Sequence, residues 1–327
     1  MNKQLSDLES LQWDWETRPD IHRYSHHAMA TTYEIYVQHD DEHYAEGAAY
    51  EAFKLIDKLE EALSRFIENS DISRINSLQA YEFVTVGLPA FECLEISKNI
   101  YEETDRAFDI SIGPLYQCWL TKDKTLRNPS QQELNSARYR TGMHLVKLNK
   151  SNYTVQVLRS NLHLDLGGVG KGYAVDKVGE LFREWNIENA LIHGGKSSVL
   201  ALEAPSDMPG WPVTISRVGS VTKTVARLFL HNHALSGSGI HKGQHILDPR
   251  RGEPVKEKSG AWALADSSAM TDALSTAFMI MSPEAVRAYC ESHENIRAIA
   301  VPEGDETPGS VQFFGDWDEV DFPLQVF

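Results

Sequence analysis

The sequence of 327 residues has a formal net charge of −16 and 42% hydrophobic residues. This length and apolar content are sufficient for a folded protein with a substantial core. The acidic balance excludes a broad nucleic-acid or anionic-membrane surface, because both need clustered basic residues. The three cysteines lie far apart, at Cys93, Cys118 and Cys290. This spacing predicts reduced thiols, and neither a disulfide framework nor a thiolate zinc site.

The N-terminal segment, residues 1–20, shows no targeting signal. It lacks an apolar stretch of signal-peptide length and a lipid-attachment cysteine. No later stretch of the sequence reaches the ~18 apolar residues of a membrane-spanning helix. We therefore expect a soluble cytoplasmic protein, or a periplasmic one if the sequence is a trimmed mature form.

The first half of the chain mixes strand and helix patterns. β-Forming residues predict a strand at 29–38, and apolar residues spaced three and four apart predict a helix at 44–66. A second helix, which opens on proline, is predicted at 89–108. Two short strands are predicted around 144–149 and 153–158, joined by the turn sequence NKSN.

The second half repeats this mixture less regularly. The predicted elements are an apolar strand at 189–195, strands near 211–216 and 224–230, a glycine-rich loop at 236–252, a helix at about 269–281 and a final helix at 282–293. Strands and helices do not alternate as they do in a doubly wound sheet, so the pattern favours an α+β fold.

Residues 162–185 combine an alternating apolar segment, a glycine turn and an amphipathic helix. A glycine turn between a strand and a helix is typical of a bound phosphate, because free N–H groups at a helix start attract anions. The glycine spacing GGxGxG does not match the dinucleotide-fold fingerprint. The residues alone leave open what the carboxylate of Asp165 does beside this turn.

Asp272 and Thr276 are four residues apart in a predicted helix, which places them on one face. A carboxylate and a hydroxyl in this position could donate two oxygens to Mg²⁺. The alternative is that Asp272 only interacts favourably with the helix dipole. The spacing does not decide between these interpretations.

Other polar residues also have both a functional and a structural interpretation. His245 precedes ILDPRRG and could carry protons near neutral pH, or it could stabilise the proline turn. Asp109 could be a turn cap. A zinc site of His241 and His245 is disfavoured, because the glycine-punctuated segment around them does not predict a helix.

Taken in order, these segments resemble the FAD:protein FMN transferase family, also called the ApbE family. The matching motifs are MATTYEI, LSRFIENSDISRIN, FDISIGPL, LDLGGVGKGYAVDKV, HILDPRRGEPV and TDALSTAF, and they extend over roughly residues 28–282. The resemblance implies an α+β fold of the T-fold-like type, built from a duplicated half. It also implies that residues 1–27 are an N-terminal extension and that 28–327 form one catalytic domain with two interleaved halves.

The resemblance further implies an activity. Members of the family use Mg²⁺ and FAD, attach FMN through its phosphate to a threonine or serine of a target protein, and release AMP. The expected partners are therefore FAD and a flavin-acceptor protein, with neither nucleic acid nor a membrane span. Two alternatives stay open: hydrolysis of FAD to FMN and AMP, and binding of FAD without transfer.

The family motifs assign site roles to individual residues of this sequence. The residues expected to contact FAD are Met29, Phe66, Ala107, Phe108, Asp109, Asp165 and Lys171. The expected Mg²⁺ ligands are the carbonyl of Gly168 and the side chains of Asp272 and Thr276. His245 matches a histidine implicated in proton transfer, and it is the expected catalytic base.

The sequence departs from the family pattern at several positions. Ala30 replaces the glycine of MGT, and Phe66 replaces the usual tyrosine. Lys196 follows two glycines where the family commonly has an amide or an acid. The loop SGSGIHKGQ is shorter than the family's SGDY region and lacks its aromatic residue. Because the metal-ligand positions are retained, these departures point to a change in the acceptor or in how FAD is held.

Overall fold

The computed structural model describes residues 18–121, 125–216, 224–240, 246–304, 310–317 and, for the backbone alone, 324–326. Its strands are β1 (Ile21–Ala28), β2 (Thr31–Gln38), β3 (Phe83–Thr85), β4 (Val146–Asn149), β5 (Thr154–Val157), β6 (Ala190–Gly194), β7 (Ser198–Ala201), β8 (Trp211–Ser216), β9 (Thr224–Leu230), β10 (His233–Gly239), β11 (Leu247–Asp248), β12 (Glu253–Pro254), β13 (Lys258–Ala265), β14 (Arg297–Pro302), β15 (Gln312–Phe314) and β16 (Leu324–Val326). Its helices are α1 (Glu42–Leu63), α2 (Asp71–Asn76), α3 (Leu88–Glu103), α4 (Gly113–Trp119), α5 (Gln131–Arg138), α6 (Gly170–Glu184), α7 (Ser268–Ile280) and α8 (Pro283–Ser292).

The centre of the molecule is an antiparallel sheet of eight strands in the order β1-β2-β6-β7-β10-β13-β14-β15. β1 and β2 form one hairpin, β6 and β7 form another, and β2 pairs with β6 between them. β10 then joins β7 to β13. Most of the helices lie between β2 and β6 in the chain, so this sheet is built from distant segments.

The two faces of the central sheet are covered by different elements. Successive side chains along a strand point to opposite faces. In β14, accordingly, Ala298 belongs to a core shared with the helices, whereas Ile299 belongs to a second core. Helices α6 and α7 pack on the first face. The second face carries the small sheet β16-β9-β8, whose Trp211 side chain is fully buried.

Local sequence signals account for several helix boundaries. Asp41 and Ser282 accept hydrogen bonds from N–H groups of the first turns of α1 and α8. Pro283 occupies the first position of α8, where its missing N–H is tolerated. Ser130 and Glu133 form a reciprocal capping box at the start of α5. The helices predicted at 44–66 and 282–293 are therefore present, with ends shifted by a few residues, whereas α5 was not predicted.

The α+β prediction is confirmed, but the predicted extent of the glycine-rich loop is wrong at its start. β10 continues to Gly239, well inside the loop predicted at 236–252. Gly237 fits this strand because it packs on a tryptophan, and an added Cβ would lie 2.3 Å from Trp262 Nε1. Glycine here therefore marks close packing within the sheet.

The segment 162–166 forms no strand of the described sheets, contrary to the expectation of a strand before the glycine turn. Its backbone bonds to loops and side chains. The N–H of Asp165 donates to the carbonyl of Ile110 at 2.7 Å. The Asn76 side chain accepts from the N–H of Leu164 at 2.6 Å and donates to its carbonyl at 3.0 Å. The alternation of apolar and polar residues in this segment therefore reflects alternating burial of the side chains, and it does not mark a strand of a sheet.

The hairpin of β1 and β2 begins ahead of the predicted domain start. Residues 21–27 belong to β1 and pair along β2, although the sequence had assigned them to the N-terminal extension. The division of 28–327 into two interleaved halves stays a prediction. In the described part of the chain, no helix has the length and apolar character needed to cross a membrane.

Candidate active site

One end of the central sheet gathers two turns that carry residues singled out in the sequence. The β1–β2 turn consists of Met29 and Ala30, both with left-handed φ, 50° and 57°. The β6–β7 turn lies beside it, because β2 pairs with the end of β6. Gly195 of that turn packs on Thr31, whose Oγ1 would lie 2.2 Å from an added Cβ. Lys196, the next residue, is exposed.

Helix α7, which carries Asp272 and Thr276, is held at its N-terminus by α6. The Asp176 carboxylate accepts hydrogen bonds from the N–H groups of Ser268 at 2.6 Å and Ala269 at 2.9 Å. It also accepts from the hydroxyl of Ser267, the capping residue, at 2.8 Å. Burial raises the pKa of the Asp176 carboxyl. A carboxylate from one helix therefore caps the next.

The other end of α7 is held by a buried lysine of β13. Nζ of Lys258 donates to the carbonyl of Phe278 at 2.8 Å and to the carbonyl of Met281. Only 5% of Lys258 is exposed, and burial lowers its pKa to about 8. These bonds satisfy carbonyls that the helix end leaves without intrahelical partners.

The predicted metal-ligand positions lie together where α7 meets the glycine turn. Asp272 is 3% exposed, and its carbonyl accepts a long hydrogen bond of 3.4 Å from the Thr276 hydroxyl one turn later. An added Cβ at Gly168 would lie 3.4 Å from Thr276 Oγ1 and 3.2 Å from the Phe108 ring. The fold thus brings Gly168, Asp272 and Thr276 close together, and their role as ligands stays a prediction.

Lys171 links the glycine turn to α7. Its Nζ donates to the carbonyl of Gly167 at 2.8 Å and lies 3.2 Å from Oδ2 of Asp272. The same carboxylate oxygen accepts from the N–H of Gly172 at 3.3 Å. Both of these partners of the Asp272 carboxylate oxygen are therefore donors.

Asp165 has two partners within the protein. Its Oδ1 accepts from the N–H of Gly167 at 2.9 Å, which shapes the glycine turn. Its Oδ2 lies 3.0 Å from Nε of Arg65, as an ion pair without a well-aligned hydrogen bond. The Arg65 guanidinium in turn lies over the ring of Phe66, 4.2 Å from its centroid. Phe66 is 80% exposed, so the other face of its ring is open to a planar ligand.

The FD motif is almost entirely buried. Ala107, Phe108 and Asp109 are 1%, 3% and 8% exposed. Oδ1 of Asp109 accepts from the N–H of Ser111 at 2.8 Å and from its hydroxyl at 2.6 Å, which is the turn-capping interaction considered from the sequence. Burial raises the pKa of Asp109 to about 6. Of the three, Phe108 is the one that borders Gly168.

Met29 joins the site through Tyr33. The Tyr33 hydroxyl donates to Sδ of Met29 at 3.1 Å. Burial raises the pKa of Tyr33, and the carboxylate of Asp272 adds to this effect. Met29, Tyr33 and Asp272 thus belong to one region. The predicted catalytic base, His245, lies outside the described residues, so the structure does not place it.

The donor set fits a hard cation such as Mg²⁺. A carboxylate, a hydroxyl and a carbonyl are oxygen donors, and Mg²⁺ commonly takes few protein ligands and keeps waters or substrate phosphate oxygens. Within the described ranges, no group of three or more His, Cys, Asp and Glu side chains is placed to hold a metal ion. A magnesium site built on Asp272 would therefore depend on backbone, hydroxyl and ligand oxygens.

Several polar residues of this region, among them Ser238, Asp176 and Asn76, were not predicted from the sequence. The Ser238 hydroxyl lies 3.0 Å from Thr276 Oγ1, Asp176 caps α7, and Asn76 bonds to the segment before the glycine turn. Asn76 and Asp176 lie in the quoted motifs LSRFIENSDISRIN and LDLGGVGKGYAVDKV, which were a usable signal. The contacts of Ser238 and Asp176 are with a helix far along the chain, so only the tertiary structure reveals those contacts.

Comparison with known proteins identifies the family of this chain. The sequence model described as the ApbE family matches residues 29–300. The chain belongs to the ApbE family. A relative from Chlamydia muridarum, named FAD:protein FMN transferase, is 29% identical over 243 residues, covering 70% of this chain and 74% of the relative. The protein of the same name from Escherichia coli K12 is 26% identical over 266 residues, covering 76% and 75%.

Solved structures of ApbE proteins have the same fold. The flavin transferase ApbE from Vibrio cholerae superposes with a TM-score of 0.78 at 23% identity, covering 91% of this chain and 97% of that one. The flavinyl transferase ApbE of Pseudomonas stutzeri gives a TM-score of 0.79 at 23% identity, covering 91% and 94%. The ApbE fold predicted from the motifs is therefore confirmed.

Proposed function

We propose that this protein is a Mg²⁺-dependent FAD:protein FMN transferase, which moves FMN from FAD to a threonine or serine hydroxyl of a target protein and releases AMP. The observation that carries this proposal is the grouping of Asp272, Thr276 and Gly168 beside the glycine turn, in a chain of the ApbE family. The prediction of a transferase enzyme is confirmed by its relatives. The relatives' names do not include magnesium dependence, AMP release or the threonine or serine acceptor, and we propose these three properties here.

Side chains around this group suit the different parts of FAD. The exposed ring of Phe66, backed by Arg65, offers a flat apolar face to an aromatic ring system. Met29 offers a polarizable thioether at the sheet end. Lys171 provides a positive charge at the glycine turn, close to the predicted metal position, where the pyrophosphate would lie.

Asp272, Thr276 and the carbonyl of Gly168 would hold Mg²⁺. When bound, Mg²⁺ neutralises negative charge on the pyrophosphate and improves AMP as a leaving group. The burial of Asp272 keeps its carboxylate in one position. Ser238 bonds to the Thr276 hydroxyl at 3.0 Å and so orients its oxygen, as outer partners of metal ligands commonly do.

The proposed reaction is a phosphoryl transfer in which one P–O bond forms and one breaks. The acceptor hydroxyl forms a P–O bond to the phosphorus of the FMN half, the bond between that phosphorus and the bridging oxygen breaks, and AMP leaves with this oxygen. The hydroxyl proton passes to a base, for which His245 is our sequence-based candidate.

Purified protein incubated with FAD, MgCl₂ and a threonine-containing acceptor tests the proposal. We expect AMP and flavinylated acceptor in equal amounts, measured by chromatography and by flavin fluorescence of the acceptor band. AMP with free FMN would instead identify a hydrolase. Bound FAD without AMP would identify a binding protein, and either result would contradict the proposed transfer.

The metal assignment predicts the effect of Asp272→Ala. Removal of the only carboxylate among the proposed ligands should abolish Mg²⁺-dependent AMP release. Asp266→Ala is the matched control, because this aspartate is exposed and lies just before the same helix. Unchanged AMP release in Asp272→Ala, measured against a folded-state check by circular dichroism, would refute the assignment.

A further inference from the structure

Lys171 and Asp272 form an ion pair inside the candidate active site. Their side chains are 21% and 4% exposed, and Nζ lies 3.2 Å from Oδ2. In the described part of the chain, Lys171 is the one basic side chain within ion-pair distance of this carboxylate. A buried carboxylate without a counter-charge is costly, so the ammonium stabilises Asp272 in the structure as it stands.

The ammonium lies where a metal ion would have to be accommodated. It contacts Oδ2 of Asp272 and the carbonyl of Gly167, while Thr276 and Gly168 border the same space. A divalent cation on Asp272 would strongly repel an ammonium at this distance, because the site is largely shielded from water. The two cations therefore compete for one carboxylate.

We propose that Lys171 is an exchangeable counter-ion, which neutralises Asp272 in the metal-free protein and is displaced when Mg²⁺ binds. This inference rests on the proposed function. The lysine side chain is flexible and partly exposed, so its ammonium can turn away from α7. Once displaced, the ammonium is available to the pyrophosphate of FAD. Metal binding and FAD binding then favour each other through one side chain.

Titration of the FAD-free protein with MgCl₂ alone, followed by calorimetry and thermal unfolding, tests this inference. Lys171→Met removes the competitor, so Mg²⁺ affinity should rise by roughly 5- to 150-fold, the usual range for coupled sites. The melting temperature of this variant in EDTA should be lower than that of the wild type, because Asp272 loses its counter-ion. Saturating Mg²⁺ should remove most of that difference.

Two further variants separate charge from packing. Lys171→Arg keeps a cation and should keep Mg²⁺ affinity near the wild-type value. Lys177→Met is the matched control on α6, since Lys177 pairs with Glu92 at 3.2 Å and Glu180 at 2.9 Å. It should lower stability without raising Mg²⁺ affinity.

FAD provides a second readout that a purely structural lysine would not change. Adding FAD should raise Mg²⁺ affinity in the wild type, and this gain should be smaller in Lys171→Met. Equal or weaker Mg²⁺ binding by FAD-free Lys171→Met overturns the inference. The proposed function is unaffected by that outcome, provided that FMN transfer by the wild type requires Mg²⁺. Transfer that continues unchanged in EDTA refutes the metal assignment itself, and the inference with it.

Discussion

Ala30 occupies a backbone conformation that suits glycine. Met29 and Ala30 form a two-residue turn with φ of 50° and 57°, between strands that pair from Ala28 and Thr31 onward. Positive φ at both central residues is the type I′ pattern, in which glycine is favoured at the second position. The left-handed conformation at this position therefore favours the glycine of the family motif MGT, and Ala30 is strained here.

We expect Ala30→Gly to stabilise the protein by about 0.5–1 kcal/mol. Relief of the left-handed conformation is worth about 1–2 kcal/mol, and the greater freedom of glycine in the unfolded chain offsets part of it. Urea unfolding measures the difference. Ala28→Gly is the control, because this buried strand residue should lose stability. A loss of stability in Ala30→Gly would show that the exposed methyl group has a packing role.

Asp109 makes stability depend on pH. Its folded pKa of about 6 lies above the ordinary carboxyl value of 3.8, because burial disfavours the charged carboxylate. The folded state thus binds the proton more tightly, and the contribution of Asp109 to stability is full below about pH 4 and is lost as the pH rises to about 6.

Asp109→Asn should remove this dependence while keeping an oxygen that accepts from Ser111. The difference in unfolding free energy between variant and wild type should therefore shift in favour of the variant between about pH 4 and pH 6, and then become constant. Urea unfolding at several pH values measures it. A difference that does not change with pH would mean that the folded pKa is not raised.

The sequence identified many of the residues gathered at the site but not how they contact one another. The i, i+4 spacing correctly placed Asp272 and Thr276 on one face of a helix, since helical geometry alone determines it. The Lys171–Asp272 pair joins residues 101 positions apart, so no local pattern could predict it. Arg65 was missed because its interaction with Asp165 also depends on the tertiary structure.

At the scale of elements, the close packing of α6 on α7 positions the site. Gly172 is the contact point, because an added Cβ would lie 2.1 Å from the carbonyl oxygen of Ser268. That distance is impossible without moving the start of α7. The sequence pattern predicts a ligand-binding turn at these glycines, and Gly172 is required in addition for helix packing.

We expect Gly172→Ala to cost about 1–3 kcal/mol or more, because the methyl group meets backbone atoms that cannot yield easily. Because Asp272 moves with α7, the proposed metal assignment also implies weaker Mg²⁺ binding in this variant. Gly170→Ala is the control on the same helix, where the nearest atom would be Leu166 Cβ at 3.6 Å. That variant should be neutral or slightly stabilised, as alanine favours helix. Denaturant unfolding with equal losses in both would exclude the proposed contact.

For the whole molecule, the antiparallel sheet separates the site from a second core. The candidate site lies among the helices and turns on one side, whereas Trp211 lies in the core beneath the small sheet. The α+β class followed from the irregular order of elements, but the strand order did not. Pairing of β2 with β6 joins residues 153 to 161 positions apart, which periodicity cannot show.

Trp211→Phe should therefore lower stability without lowering transfer at temperatures where the protein stays folded. The loss should be about 1–3 kcal/mol, from reduced packing and the missing hydrogen bond from Nε1 to the carbonyl of Glu203. Phe278→Leu, on α7, is the comparison, and it should lower both stability and FMN transfer. Thermal unfolding and AMP release measure the two effects. Equal losses of transfer in both variants would contradict this separation.

The attachment of α7 at both ends has a consequence for motion. Asp176 bonds to its first residues and Lys258 to its last carbonyls, so local unfolding from either end must first break contacts to α6 or β13. Helix ends normally fray, and here both are tied to neighbouring elements. The amide hydrogens between Asp272 and Thr276 should thus exchange with solvent only through larger openings of the domain. We therefore expect movement on ligand binding in flexible side chains and in the glycine turn that faces α7.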